Sequence, residues 1–130
     1  MILVDSSSWI HLLRPQGDPD VRRRVENALQ SGKACWCPLI QLELWNGAGG
    51  HQEKKVLREF AAVLPELPVT DGVWQLAYEL ARQARKRGIT IPAGDLVIAA
   101  CAQYHQAGLE TADSDFARLD ALKDSPSSNS

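Results

Sequence analysis

The chain opens with an apolar, β-favouring run, Ile2-Leu3-Val4, that meets an acid at once in Asp5. A buried central strand rarely ends on a carboxylate without purpose, because burying that charge unpaired costs several kcal/mol. A second short strand pattern, residues 109–111, leads in the same way into Ala112-Asp113-Ser114-Asp115-Phe116. Between these two runs, short strand patterns alternate with helical ones. Such alternation predicts an α/β fold with a parallel sheet, in which ligands gather beyond the carboxyl ends of the strands. Asp5 and Asp113 are therefore expected at one edge of the sheet, although they come from opposite ends of the chain.

Ser6-Ser7-Ser8 offers a helix N-cap before Trp9-Ile10-His11-Leu12-Leu13. Val21, Val25, Ala28 and Leu29 recur at helical spacing until Gly32 stops them. A strand is expected over residues 34–37, and Pro38 then starts a helix through Leu42, Glu43, Leu44 and Trp45 to the glycine-rich breaker at 46–50. Further helices are expected over 52–62, from Thr70 or Asp71 to Gly88, and over 95–104, with a brief strand at 67–69 and a last helical turn to Leu122. Residues 125–130 read as a polar tail.

At 130 residues, 45% hydrophobic and 23% charged, the chain is long enough to bury one core unaided. The apolar start is too short for a signal peptide or a membrane span, so a cytoplasmic location without membrane contact is expected. Three cysteines and three histidines show no zinc spacing around Cys35 and Cys37, which leaves reduced, structural thiols as the expectation. The net charge of −2 announces no nucleic-acid binder. Acids gathered around a divalent cation would, however, reverse the local sign.

Asp5, Glu43, Asp95, Asp113 and Asp115 each stand at or beside an element boundary, and the first four lie in otherwise core-like surroundings. The basic residues cluster elsewhere, in Arg22-Arg23-Arg24, Lys54-Lys55 and Arg82-x-x-Arg85-Lys86-Arg87. A hard cation such as Mg2+ or Mn2+ is the natural compensation, and such ions serve phosphodiester hydrolysis with no nucleophilic side chain. Local roles compete: Asp95, Asp113 and Asp115 also suit helix caps or turns. The arginine runs also read as solvated helix faces, and Trp36, Trp45 and Trp74 as core or dimer interface rather than base-stacking platforms.

Four segments taken in order, Ile2-Leu3-Val4-Asp5-Ser6-Ser7, Leu42-Glu43-Leu44 with Gly47, Asp95-Leu96-Val97-Ile98-Ala99-Ala100 and Thr111-Ala112-Asp113-Ser114-Asp115-Phe116, resemble the PIN-domain family, specifically the VapC-type toxin ribonucleases. The resemblance spans nearly the whole chain. It implies a three-layer α/β fold over residues 1–122, with a short parallel sheet of four or five strands flanked by helices and a flexible polar tail at 123–130. It also implies a catalytic, metal-binding quartet of Asp5, Glu43, Asp95 and Asp113, with Asp115 as a fifth acid and Ser6 and Thr111 as supporting hydroxyls. The implied activity is Mg2+- or Mn2+-dependent cleavage of tRNA or ribosomal RNA, leaving a 5′-phosphate and a 3′-hydroxyl. The implied partners are a second copy of the chain and a VapB-type antitoxin whose C-terminal segment crosses the acidic groove.

Two departures stand out: Glu110 sits where an apolar strand residue is usual, and Lys123-Asp124-Ser125-Pro126 replaces an apolar final strand. Two other functions compete with the ribonuclease reading. A PIN-like module that binds RNA or protein without catalysis usually lacks one of the acids. An aspartyl-nucleophile phosphatase built on Asp5 expects an acid two residues on, where this chain has Ser7.

Overall fold

A computed structural model describes residues 1–123, with the side chains of the last two left aside. The elements run β1 (Ile2–Val4), α1 (Ser6–Leu13), α2 (Pro19–Gln30), β2 (Ala34–Cys35), α3 (Pro38–Gly47), α4 (His51–Val63), α5 (Asp71–Lys86), α6 (Ala93–Tyr104), β3 (Gly108–Glu110) and α7 (Asp115–Lys123). The polar tail and the replaced final strand lie outside the described residues, apart from Lys123 itself.

The sheet is parallel and ordered β2-β1-β3, so the first strand is central and the last is an edge. Ile2 pairs with both Ala34 and Gly108, and Val4 pairs with Glu110. Among the described residues this makes three strands rather than the four or five expected. The expected strand at 67–69 is reduced to a single parallel bridge between Trp36 and Glu66. There the amide of Leu67 donates to the carbonyl of Trp36, but Pro68 has no N–H with which to extend the ladder. The strand expected over 34–37 is shorter for a related reason. Trp36 turns to that bridge, and Cys37 becomes the N-cap residue of α3.

The helix starts follow local chemistry. Asp5, not a serine, caps α1, and its carboxylate accepts from the amide of Ser7. Thr70 caps α5 by accepting from the amide of Val73. Gly32 and Gly88, just past α2 and α5, have φ near +70°, the left-handed conformation in which glycine carries no Cβ penalty. The core holds β1, the inner stripe of α5 (Val73, Ala77, Leu80, Ala84) and the middle of α6, residues 97–102. All three cysteines are free and buried. Among the described residues no helix is long and apolar enough to cross a membrane.

Under α1, the rings of Trp9, Trp36 and Phe60 meet at centroid distances of 5.0–6.4 Å and join α1 and α4 to the β2 edge. Trp9 is fully buried. Replacing it with alanine should cost about 3–5 kcal/mol in a urea unfolding titration. A loss under about 1 kcal/mol would show that this cluster does not anchor α1.

Candidate active site

Parallel pairing of β1 with β3 brings both strand ends to one side, and there the chain crosslinks itself. The amide of Asp5 donates to the carbonyl of Glu110. The Asp5 carboxylate then gathers three donors on one oxygen, Oδ2: the Ser7 hydroxyl at 2.6 Å, the Thr111 hydroxyl at 3.1 Å and the Ser7 amide at 3.4 Å. Thr111 Oγ1 in turn accepts from the amide of Asp113 at 2.9 Å, and Ser7 Oγ accepts from the amide of Ala112 at 3.0 Å. Two hydroxyls thereby fix Asp5 against the loop that carries Asp113. Asp5 is only 2% exposed.

Asp95 arrives from α6. The helix begins at Ala93 with Pro92 as its cap residue, so Asp95 sits in the first turn and does not cap it. Its carboxylate joins those of Asp113 and Asp115 in a cluster whose ligand atoms lie within 4.8 Å of one another. Asp113 keeps the turn role weighed from sequence as well, since its Oδ1 accepts from the amide of Asp115. Arg118 stands 3.4 Å from Asp115, so the cluster has one cation at its rim, contrary to the expectation that the basic residues lie elsewhere.

Glu43 reaches the same end from α3. Its Oε1 accepts from the Ser6 hydroxyl at 3.0 Å, and a Cβ placed on Gly94 would lie 3.5 Å from its Oε2. The residue is half-buried, but the reason differs from the one expected. Leu42 and Trp45 face solvent, and α3 buries Ile40 and Leu44 instead. Glu43 therefore sits at the boundary between the buried and the exposed side of α3.

The electrostatics record the crowding. Burial lifts the Asp95 carboxyl to about 7, helped by repulsion from Asp113 and Asp5 and by Asp115. Burial also raises Glu43, against the Ser6 hydrogen bond that favours its charge, and Asp5 and Asp113 add repulsion. These mutual effects tie all five acids into one electrostatic unit, although only Asp95, Asp113 and Asp115 form the tight cluster.

Of the two supporting hydroxyls implied by the resemblance, Ser6 donates to Glu43 and Thr111 to Asp5. Ser7 was missed. Read from sequence as cap material, it gives the shortest hydrogen bond to Asp5, and the available signal was a hydroxyl two residues after a strand-end acid. The Arg22-Arg23-Arg24 run is engaged within the chain: Arg22 with the carbonyls of His11 and Arg14, Arg23 with Asp20, and Arg24 with Glu110.

The family model for the PIN domain matches residues 2–122. Ribonuclease VapC11 from Mycobacterium tuberculosis is 31% identical over 121 residues, which cover 89% of each protein. Among solved structures, VapBC-5 of the VapBC family of toxin-antitoxin systems, also from M. tuberculosis, matches with a TM-score of 0.66 at 25% identity over 91% of this chain and 89% of that one. FitAcB from Neisseria gonorrhoeae matches in fold, with a TM-score of 0.71 at 24% identity over 92% and 94% of the two chains. Agreement of this extent, with the family model and with a curated relative alike, settles the kinship: the chain belongs to the PIN domain family, in its VapC group.

Proposed function

We propose that this chain is the toxin of a toxin–antitoxin pair, a Mg2+- or Mn2+-dependent endoribonuclease that hydrolyses phosphodiester bonds in tRNA or ribosomal RNA. The convergence of Asp95, Asp113 and Asp115 beside the pinned Asp5 carries this reading. A cation fits these residues on two grounds. The donors are all carboxylate oxygens, which suit a hard divalent ion. The raised Asp95 carboxyl is the mark of a charge lacking compensation, which such an ion would supply.

Asp95, Asp113 and Asp115 would hold the ion, with Asp5 as a fourth ligand whose Oδ2 is already fixed by hydroxyls. When bound, the ion supplies activation of water and neutralisation of charge on the scissile phosphate. Glu43, raised by burial and held in place by Ser6, is suited to exchange a proton at its carboxylate as water adds and the 3′-oxygen leaves. Thr111 and Ser7 keep Asp5 and the Asp113 loop from separating under their own repulsion.

The relative VapC11 bears the name ribonuclease, and VapBC-5 belongs to a toxin-antitoxin family; both support the assignment. The cognate partner is then a VapB-type antitoxin that sets a basic side chain among the acids, in a cytoplasmic complex. The chain also forms a homodimer, for which the exposed rings of Trp74 and Tyr78 on α5 offer apolar surface. A molar mass near the 14.3 kDa of one chain in light scattering at micromolar concentration would contradict the dimer.

Sequencing RNA 5′ ends after brief expression should reveal discrete new ends with the wild-type chain and none with Asp5→Ala or Asp95→Asn. Cleavage that persists unchanged in both variants would overturn the mechanism. RNA binding without cleavage at any Mg2+ or Mn2+ concentration would favour the catalytically silent alternative. Stability supplies a second test. The folded chain lifts Asp95 from 3.8 to about 7, so it keeps this proton where the unfolded chain has lost it. That contribution is present at low pH and is lost as pH climbs through this window. In chelator at pH 8, Asp95→Asn should therefore melt above wild type, and the gap should close toward pH 4. Equal melting temperatures at pH 8 would contradict the strained carboxyl.

A further inference from the structure

Glu110 is the residue that departs from the apolar pattern expected of its strand, and the structure gives it a task. It is the last residue of β3, with a side chain 13% exposed. Its Oε1 accepts from Arg24 Nε of α2 at 2.7 Å, and its Oε2 accepts from Arg24 Nη2 at 3.3 Å. Oε2 also accepts from the fully buried hydroxyl of Ser8 in α1 at 2.8 Å. One carboxylate thus joins three elements, with a two-pronged guanidinium contact that fixes orientation as well as distance.

The position of this junction matters. Ser8 directly follows Ser7, and Glu110 directly precedes Thr111, the two residues whose hydroxyls hold Asp5 and the Asp113 loop. The main-chain carbonyl of Glu110 also receives the Asp5 amide. Residues 5–8 and 110–113 are therefore joined side by side at five places: Asp5 amide to Glu110 carbonyl, Ser8 to Glu110, Ser7 to Ala112, Thr111 to Asp5, and the Ser7 and Thr111 hydroxyls to each other. Of these, only the Ser8 to Glu110 contact reaches outward to a charged partner on another helix.

We propose that Glu110, clamped by Arg24 and Ser8, is a positioning residue that sets the spacing of Asp113 and Thr111 from Asp5 and so prepares the acidic cluster for its cation. The role rests on the metal-site reading above. Like-charged carboxylates push apart when no ion is bound, and among the described residues β3 has a ladder on one side only. Arg24 and Ser8 add a side-chain restraint at the end of that strand. Glu110 does not belong to the ligand cluster, and its effect passes through the backbone of residues 110–113.

The test is Mn2+ binding by calorimetry on the full chain, well below the melting temperature, for wild type, Arg24→Ala, Glu110→Ala, Glu110→Gln and Val25→Ala. Val25 is a fully buried neighbour of Arg24 in α2, so its truncation destabilises the same helix without touching the clamp. Arg24→Ala and Glu110→Ala should weaken Mn2+ binding about ten-fold or more, as loss of groups that orient ligands does. Glu110→Gln, which keeps the shape and the Ser8 contact, should recover part of that loss, and Val25→Ala should bind like wild type. Weakening by Val25→Ala equal to that by Glu110→Ala would reduce the clamp to general stability and overturn the proposal. Unchanged Mn2+ affinity in Glu110→Ala would overturn it too, while leaving the metal site standing. A wild-type chain that binds no Mn2+ would overturn the metal site and the positioning role together.

Discussion

Repulsion among carboxylates held at one end of a three-stranded parallel sheet is the constraint around which this molecule is organised. Burial and mutual proximity lift Asp95 to about 7 and raise Glu43, so negative charge on these carboxyls is costly at neutral pH. Neither effect contributes to stability, and a core alone would be better served by apolar residues. The chain sustains that cost with hydroxyls. Ser6, Ser7 and Thr111 each donate to a carboxylate, and backbone amides of the Asp113 loop are taken up by the hydroxyls of Ser7 and Thr111. In the proposed function, a divalent cation would complete what the hydroxyls begin.

The surrounding architecture serves this end of the sheet. β1 lies between two parallel neighbours, so its carboxyl end is held from both sides, and Asp5 closes the strand while capping the helix that follows. The aromatic cluster beneath α1 seats that helix, which carries Ser6 to Glu43, and the small residues of α6 let that helix, which carries Asp95, pack closely. Stability resides in the core and strain at the rim, a division that suits a site whose ligand is an ion.

Much of this was legible in the sequence because strand-end acids carry a signal of their own. Asp5 and Asp113 each follow a short strand pattern, and parallel topology sends both strands' ends the same way. Asp95 was ambiguous, since an acid near a helix start also reads as a cap, and only the placement of Pro92 and Ala93 removed that role. Other features depend on tertiary contacts that no local pattern encodes. Leu42 and Trp45 made α3 look buried around Glu43, yet both face outward. Pro68 ended a strand that hydrophobicity alone would extend, and Trp36 paired with Glu66 instead. The partnership of Arg24 with Glu110 spans most of the chain, so the arginine run read as surface and the glutamate as an anomaly.

Anomalous diffraction from crystals grown with Mn2+ is the most direct measurement of the central claim, because it locates the ion without reference to activity. The expected result is a strong peak within coordination distance, about 2.0–2.6 Å, of carboxylate oxygens of Asp95 and Asp113, and on the side of the cluster that faces Asp5. A peak elsewhere on the molecule, or none at these acids with Mn2+ at saturating concentration, would contradict the claim that this crowded end of the sheet is built to hold a cation.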